Sequence, residues 1–284
     1  MLKKILYADS GADNARDMFG NLINLPAMNS SEIYIMQVIP PKTIETLAER
    51  HNSLKQAEEK IEQLVKQLNI AQTEIFTIIR EGDPKIQVLE VAKEINADLI
   101  IIGSRGLGRL RSILSNSVSQ YVFQLAESSM LLIKDDIYTK RIKRVMVAID
   151  KSTAAQYALD LAVFLFQGYP DAELYLTRIN PDLDPDISLS KEDMENNPIL
   201  APAVNKIKKM GLSYRCVVTG GRPAEQIRIL AEENNIDLLI LGSPERRPSI
   251  AKNLPDLERL LGTSLSDYLR IKADCPVLLA RKNK

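Results

Sequence analysis

The chain is written twice. Residues 82–104, GDPKIQVLEVAKEINADLIIIGS, align without a gap to residues 221–243, GRPAEQIRILAEENNIDLLILGS, at an offset of 139 and with eleven of 23 positions identical. The starts correspond as well: Lys3-Lys4-Ile5-Leu6-Tyr7-Ala8 matches Lys143-Arg144-Val145-Met146-Val147-Ala148. Further on, SVSQYV at Ser117 matches SLSDYL at Ser264 at an offset of 147, so the second copy carries eight extra residues in the preceding loop. A repeat of this length is a supersecondary assembly used twice. At 284 residues there is room for two domains with a core each. The segment DDIYTK, 135–140, separates them and predicts domains at 1–138 and 139–284.

Inside each copy, short apolar runs alternate with helical patterns. Residues 5–8, 33–39, 75–79, 99–102 and 130–133 read as strands in the first copy, and 145–149, 174–179, 214–218, 238–241 and 277–280 in the second. Leu47, Leu54, Ile61, Leu64, Val65 and Leu68 form a helical stripe between the second and third strands. Such alternation implies right-handed crossovers and, in each half, a doubly wound α/β domain with a five-stranded parallel sheet. Ligands of such sheets bind beyond the carboxyl ends of the strands where strand order reverses. That mouth is expected between Asp9 and Gly103 in the first half and between Asp150 and Gly242 in the second.

Composition removes several function classes. Lys plus Arg and Asp plus Glu number 37 each, so no net field favours nucleic acid or an anionic membrane surface. The apolar runs are strand-sized, far short of the roughly 20 residues of a membrane helix. The N-terminus has no long apolar segment or cleavage site, and Cys216 and Cys275 lack a C-x-x-C partner. Both features fit a cytoplasmic protein with reduced, packed thiols. A zinc site or a His-based triad has too few partners, because His51 is the one histidine and lies in a charged helical stretch. No metal site and no catalytic residue is assigned. The acidic, proline-bearing stretch 180–198 reads as a mobile surface loop, with a partner-binding segment as the alternative.

After the fourth strand the first copy reads GSRGLGRLRSILSNSVSQY, from Gly103 to Tyr121. Glycines there let backbone N–H groups turn towards a phosphate, and the following helix start adds a favourable partial charge. The same residues also suit a tight strand-to-helix turn with Asn or Ser as cap. No G-K-[S/T] follows, and no G-x-G-x-x-G follows the first strand, so this is neither a Walker loop nor a dinucleotide fingerprint.

GDP at Gly82, ADLIIIGSRGLGRL from Ala97, SVSQYV and SMLLIK, repeated as GRP, IDLLILGS, SLSDYL and CPVLLARK, resemble the universal stress protein family over nearly the whole chain. The resemblance implies two tandem Rossmann-like domains related by an approximate two-fold axis. Their last strands would pair across it as an intramolecular pseudo-dimer, with further homo-oligomers open. ATP-binding members carry G-x2-G-x9-G-[S/T]; Gly103, Gly106 and Ser117 fall on that pattern, with Asn116 where the third glycine is usual. The implied nucleotide residues of the first half are Asp9, Val38, Gly103, Ser104, Gly106, Asn116, Ser117, Val118 and Ser119. Strand 1 reads Tyr7-Ala8-Asp9, one residue shorter than Val147-Ala148-Ile149-Asp150, so Asp9 is either an adenosine contact or the acid that closes the turn. The second half keeps Asp150, Gly242, Ser243, Ser264 and Ser266 but follows them with Pro244-Glu245, and reads as a vestigial site. The implied function is a stress-response module that binds ATP, with magnesium, in the first domain and presents a surface to a protein partner. A slow ATP hydrolase and a nucleotide-free interaction or small-ligand protein stay open beside it.

Overall fold

The computed structural model describes residues 1–41, 46–68, 74–104, 118–134, 137–138, 141–243 and 264–282. The chain divides into two compact units, the first ending at Tyr138. In the first, β1 (Lys4–Ala8), β2 (Glu32–Ile39), β3 (Glu74–Glu81), β4 (Leu99–Ser104) and β5 (Ser129–Lys134) form a parallel sheet in the order β3-β2-β1-β4-β5. It is joined by α1 (Asp13–Ile23), α2 (Leu47–Leu68), α3 (Pro84–Glu94) and α4 (Val118–Leu125). In the second, β6 (Arg144–Ala148), β7 (Glu173–Asn180), β8 (Ser213–Gly220), β9 (Leu238–Gly242) and β10 (Val277–Ala280) repeat the plan in the order β10-β9-β6-β7-β8. Its helices are α5 (Thr153–Phe166), α6 (Lys191–Glu195), α7 (Ala201–Lys209), α8 (Pro223–Glu233) and α9 (Leu265–Lys272).

Central strands covered on both faces become continuous apolar runs. Ile5, Leu6 and Tyr7 of β1 and Leu99, Ile100 and Ile101 of β4 are fully buried, as are Val145, Met146 and Val147 of β6. Right-handed crossovers send α1 and α2 to one face and α3 and α4 to the other; α3 packs on α4 and α8 on α9. The stripe on α2 is half used. Ala57, Ile61, Leu64 and Leu68 are buried, whereas Leu47 is 85% exposed.

Several identities of the repeat are structural punctuation. Pro84 and Pro223 open α3 and α8, where a missing N–H costs nothing. Asn96 and Asn235 take the left-handed conformation just past those helices, at φ 52° and 48°. Asp98 accepts from the N–H groups of Lys3 and Lys4 at 2.7 and 3.0 Å, and Asp237 from those of Lys143 and Arg144 at 3.0 and 2.8 Å, so each acid holds the entry of its first strand.

Residues 180–198 depart from the expected mobile loop. The Thr219 hydroxyl donates to the Pro185 carbonyl at 2.7 Å, and the Gly221 N–H to the Leu183 carbonyl at 3.2 Å. Only glycine fits at Gly220, because a Cβ there would run into the Leu183 carbonyl. Ser190 and Asp193 then form a capping box that starts α6, and Glu195 pairs with Lys208 of α7 at 3.0 Å. The anchors sit on β8, outside the segment, so local composition does not reveal them.

Candidate functional site

Strand order reverses between β1 and β4 and between β6 and β9. The carboxyl ends of those strands are the crevice in which a doubly wound sheet holds a ligand. At β1 the one-residue difference from the second copy has a definite result. The Asp9 N–H donates to Met36 O at 2.9 Å and the Ile149 N–H to Thr177 O at 2.8 Å, with Ala8 opposite Met36 and Ala148 opposite Thr177. Asp9 thus occupies the station of buried Ile149, not that of exposed Asp150.

A carboxylate turned inward needs a counter-charge. The Asp9 side chain is 0% exposed and accepts from Arg16 Nη2 at 2.8 Å, Arg16 Nε at 3.1 Å, the Tyr7 hydroxyl at 3.2 Å and the Gly11 N–H at 3.1 Å. The hydrogen bonds that Arg16 donates to Asp9 raise its guanidinium above the ordinary pKa. Asp9 thus ties the β1–α1 turn to the first helix through the Gly11 N–H and Arg16. Tyr7 in turn stacks on Phe19 with centroids 4.1 Å apart.

The second unit is built differently at the same place. Asp150 is exposed, and its Oδ1 accepts from the Ser152 N–H at 2.8 Å; Ser152 caps α5 by accepting from Ala155 N–H at 3.0 Å. Beside it a cavity of about 270 Å³ opens between the first turns of α5 and α7, walled by Asp150, Ile149, Gln156, Leu159, Ile199 and Pro202. The first copy carries Asp9, Arg16 and Phe19 at the positions of Ile149, Gln156 and Leu159. Gly242 ends β9 against the start of α5, where an added Cβ would meet the Ala154 carbonyl oxygen and the Ala155 nitrogen at 2.5 Å.

The helix that follows the fourth strand separates the two halves by charge. Ser264 caps α9: its hydroxyl accepts from Asp267 N–H at 3.2 Å and donates to Asp267 Oδ2 at 2.9 Å, with the Ser266 hydroxyl 3.3 Å away. Asp267 is 0% exposed. Arg270 and Arg281 are buried too, and burial pulls the Arg281 guanidinium down to about 10 against the opposing attraction of Asp267. Arg281 Nε also donates to Ser243 Oγ at 3.3 Å. The first turn of α9 is thus supplied with an anion by the chain itself. In α4 the matching residue is neutral Gln120, buried beside Ser119.

Of the expected site residues, Val38 is half-buried near the carboxyl end of β2, Gly103 and Ser104 close β4 opposite Ile133 and Lys134, and Val118 and Ser119 open α4. Gly106, Asn116 and Ser117 lie outside the described residues, as does Glu245. Sequence reasoning missed Arg16, Asp267, Arg270 and Arg281. The exchange of SVSQ for SLSD was the available signal for Asp267. Among the described residues no group of His, Cys, Asp and Glu could hold a metal ion, and no helix is long and apolar enough to cross a membrane.

Two doubly wound α/β units with ligand-type crevices at their strand ends define the class. The family model described as the universal stress protein family matches residues 1–134 and again 141–281, and the chain belongs to that family. A universal stress protein of Methanocaldococcus jannaschii is 25% identical over 155 residues, covering 47% of this chain and 96% of its own length. One from Synechocystis is 29% identical over 141 residues, with 47% and 86% covered. The crystal structure of a universal stress protein from Archaeoglobus fulgidus matches both halves with a TM-score of 0.71 at 21% identity, covering 98% of each chain.

Proposed function

We propose that this chain is a regulatory module that binds one adenine nucleotide, in its first domain. The reading rests on family membership and on the match of Gly103, Gly106 and Ser117 to the family's nucleotide pattern. The observation that carries the choice of domain is the buried Asp267 carboxylate in the first turn of α9, where α4 has Gln120. At the start of α9 the Asp267 carboxylate already takes the place a phosphate would need, and the Ser264 hydroxyl is occupied by it. In the first domain Gly103, Ser104, Gly106, Asn116, Ser117 and Ser119 hold the phosphates, with Val38 and Val118 beside the nucleoside. Asp9 acts by shaping the turn through Arg16. ATP with its magnesium is the proposed form, and occupancy biases a surface read by a protein partner in the cytoplasm.

Titration calorimetry of the intact chain with ATP and magnesium, and with AMP, is the test. One site per chain is expected, and Gly106→Val should weaken it at least about tenfold, or roughly 1.4 kcal/mol. Binding that survives Gly106→Val but is lost on Asp150→Ala would move the site to the second domain. No binding to the intact chain would favour a nucleotide-free interaction protein.

A further inference from the structure

We propose that the outer edge of β3 is a docking edge for a second copy of this chain, paired antiparallel about a two-fold axis at Thr77. Among the described residues the strand has a neighbouring strand on one side only, β2. Unpaired strand edges invite another strand unless charge, proline or a covering element blunts them. In the second unit the same position is managed. Cys216, Val218, Thr219 and Gly220 of β8 are buried, α6 packs on the strand, and the Leu183 and Pro185 carbonyls bond its end. Along β3, by contrast, every residue is half-buried or exposed, and Phe76 is 42% exposed while stacked on Tyr34 at 4.8 Å.

The backbone direction fixes which residues can pair. The Gly82 N–H donates inward to Ile39 O at 3.0 Å. Alternation along the strand then turns the main-chain groups of Arg80, Ile78 and Phe76 inward and those of Ile75, Thr77 and Ile79 outward. An antiparallel partner must face outward residues with outward residues, exchanging two hydrogen bonds at each such pair. With Thr77 opposite Thr77 of the second copy, Ile75 faces Ile79, Phe76 faces Ile78 and Glu74 faces Arg80, each twice by symmetry. Apolar meets apolar and acid meets base at every position of EIFTIIR. A shift by two residues in either direction puts Phe76 opposite Arg80 or Glu74 opposite Ile78 and loses both ion pairs. Arg80 already meets Glu94 at 2.8 Å with its side chain 41% exposed, a surface pair weak enough to be shared. The self-complementary charge pattern selects a second copy over an unrelated strand.

Analytical ultracentrifugation of the intact chain across a concentration series tests this. A species of twice 31.8 kDa is expected. Glu74→Arg or Arg80→Glu alone makes two like-charge pairs and should raise the dissociation constant at least about tenfold, about 1.4 kcal/mol. The double variant Glu74→Arg/Arg80→Glu should restore dimerisation, because the pairing is self-complementary again. Thr77→Pro removes an outward N–H that β2 does not use, so it should abolish the dimer while leaving the circular dichroism spectrum unchanged. A chain that stays monomeric throughout, a dimer untouched by Thr77→Pro, or one that the double variant fails to restore would overturn the proposal.

Discussion

Asp9 and Arg16 stand or fall as a pair. Removing only the guanidinium leaves a carboxylate with no exposed surface and no counter-charge, a loss of about 3–5 kcal/mol. Arg16→Met should therefore lower the urea midpoint sharply, whereas Asp9→Ile with Arg16→Gln, the residues the second copy uses, should recover most of it. Cys216 gives a prediction of opposite character. Burial pushes its thiol from 9.0 up to about 11, so its contribution is fully present below about pH 9 and is lost as pH rises through 9 towards 11. Urea midpoints at pH 8 and pH 10.5 should show a smaller alkaline fall for Cys216→Ala than for the wild type. The slip at Asp9 was legible in the sequence as a missing residue. Its resolution was not, because Arg16 lies on the next helix and reads there as one more solvated charge.

Gly242 and the 180–198 segment show what positions whole elements. Gly242→Ala would force β9 and the first turn of α5 apart, costing about 1–3 kcal/mol and lowering the thermal midpoint. Thr219→Val deletes the donor to Pro185, worth about 0.5–1.5 kcal/mol, and should leave residues 183–190 more open to limited proteolysis while β8 persists. All ten strands were legible because each is an apolar run between turn residues, and the repeat marked the helix ends through Pro84, Asn96 and their counterparts. The 180–198 segment was not, since prolines and acids look alike whether solvated or tied down by a strand residue 34 positions away. Helix α2 was legible as a helix but not in its packing: periodicity names a face, and Leu47 lies on that face beyond what the unit covers.

Taken as a molecule, the chain has two copies of one plan that have been finished differently. The first keeps the glycine-and-hydroxyl motif in its sequence and gathers Tyr7, Phe19 and Arg16 about the β1–α1 turn; the second keeps an exposed Asp150 and a cavity, and closes its own helix start with Asp267. The site was half legible for this reason. Motif spacing records which residues were inherited, but a buried acid three residues into a helix changes the meaning of the same serines. If the division holds, Gly106→Val should take nucleotide stoichiometry from one to zero, as read by calorimetry, rather than from two to one. The capped start of α9 also has a consequence for exchange with deuterated solvent. Its Asp267 amide is bonded to Ser264 in the resting chain, so that turn should exchange slowly with or without nucleotide, while the opening turn of α4 should slow only when nucleotide is added.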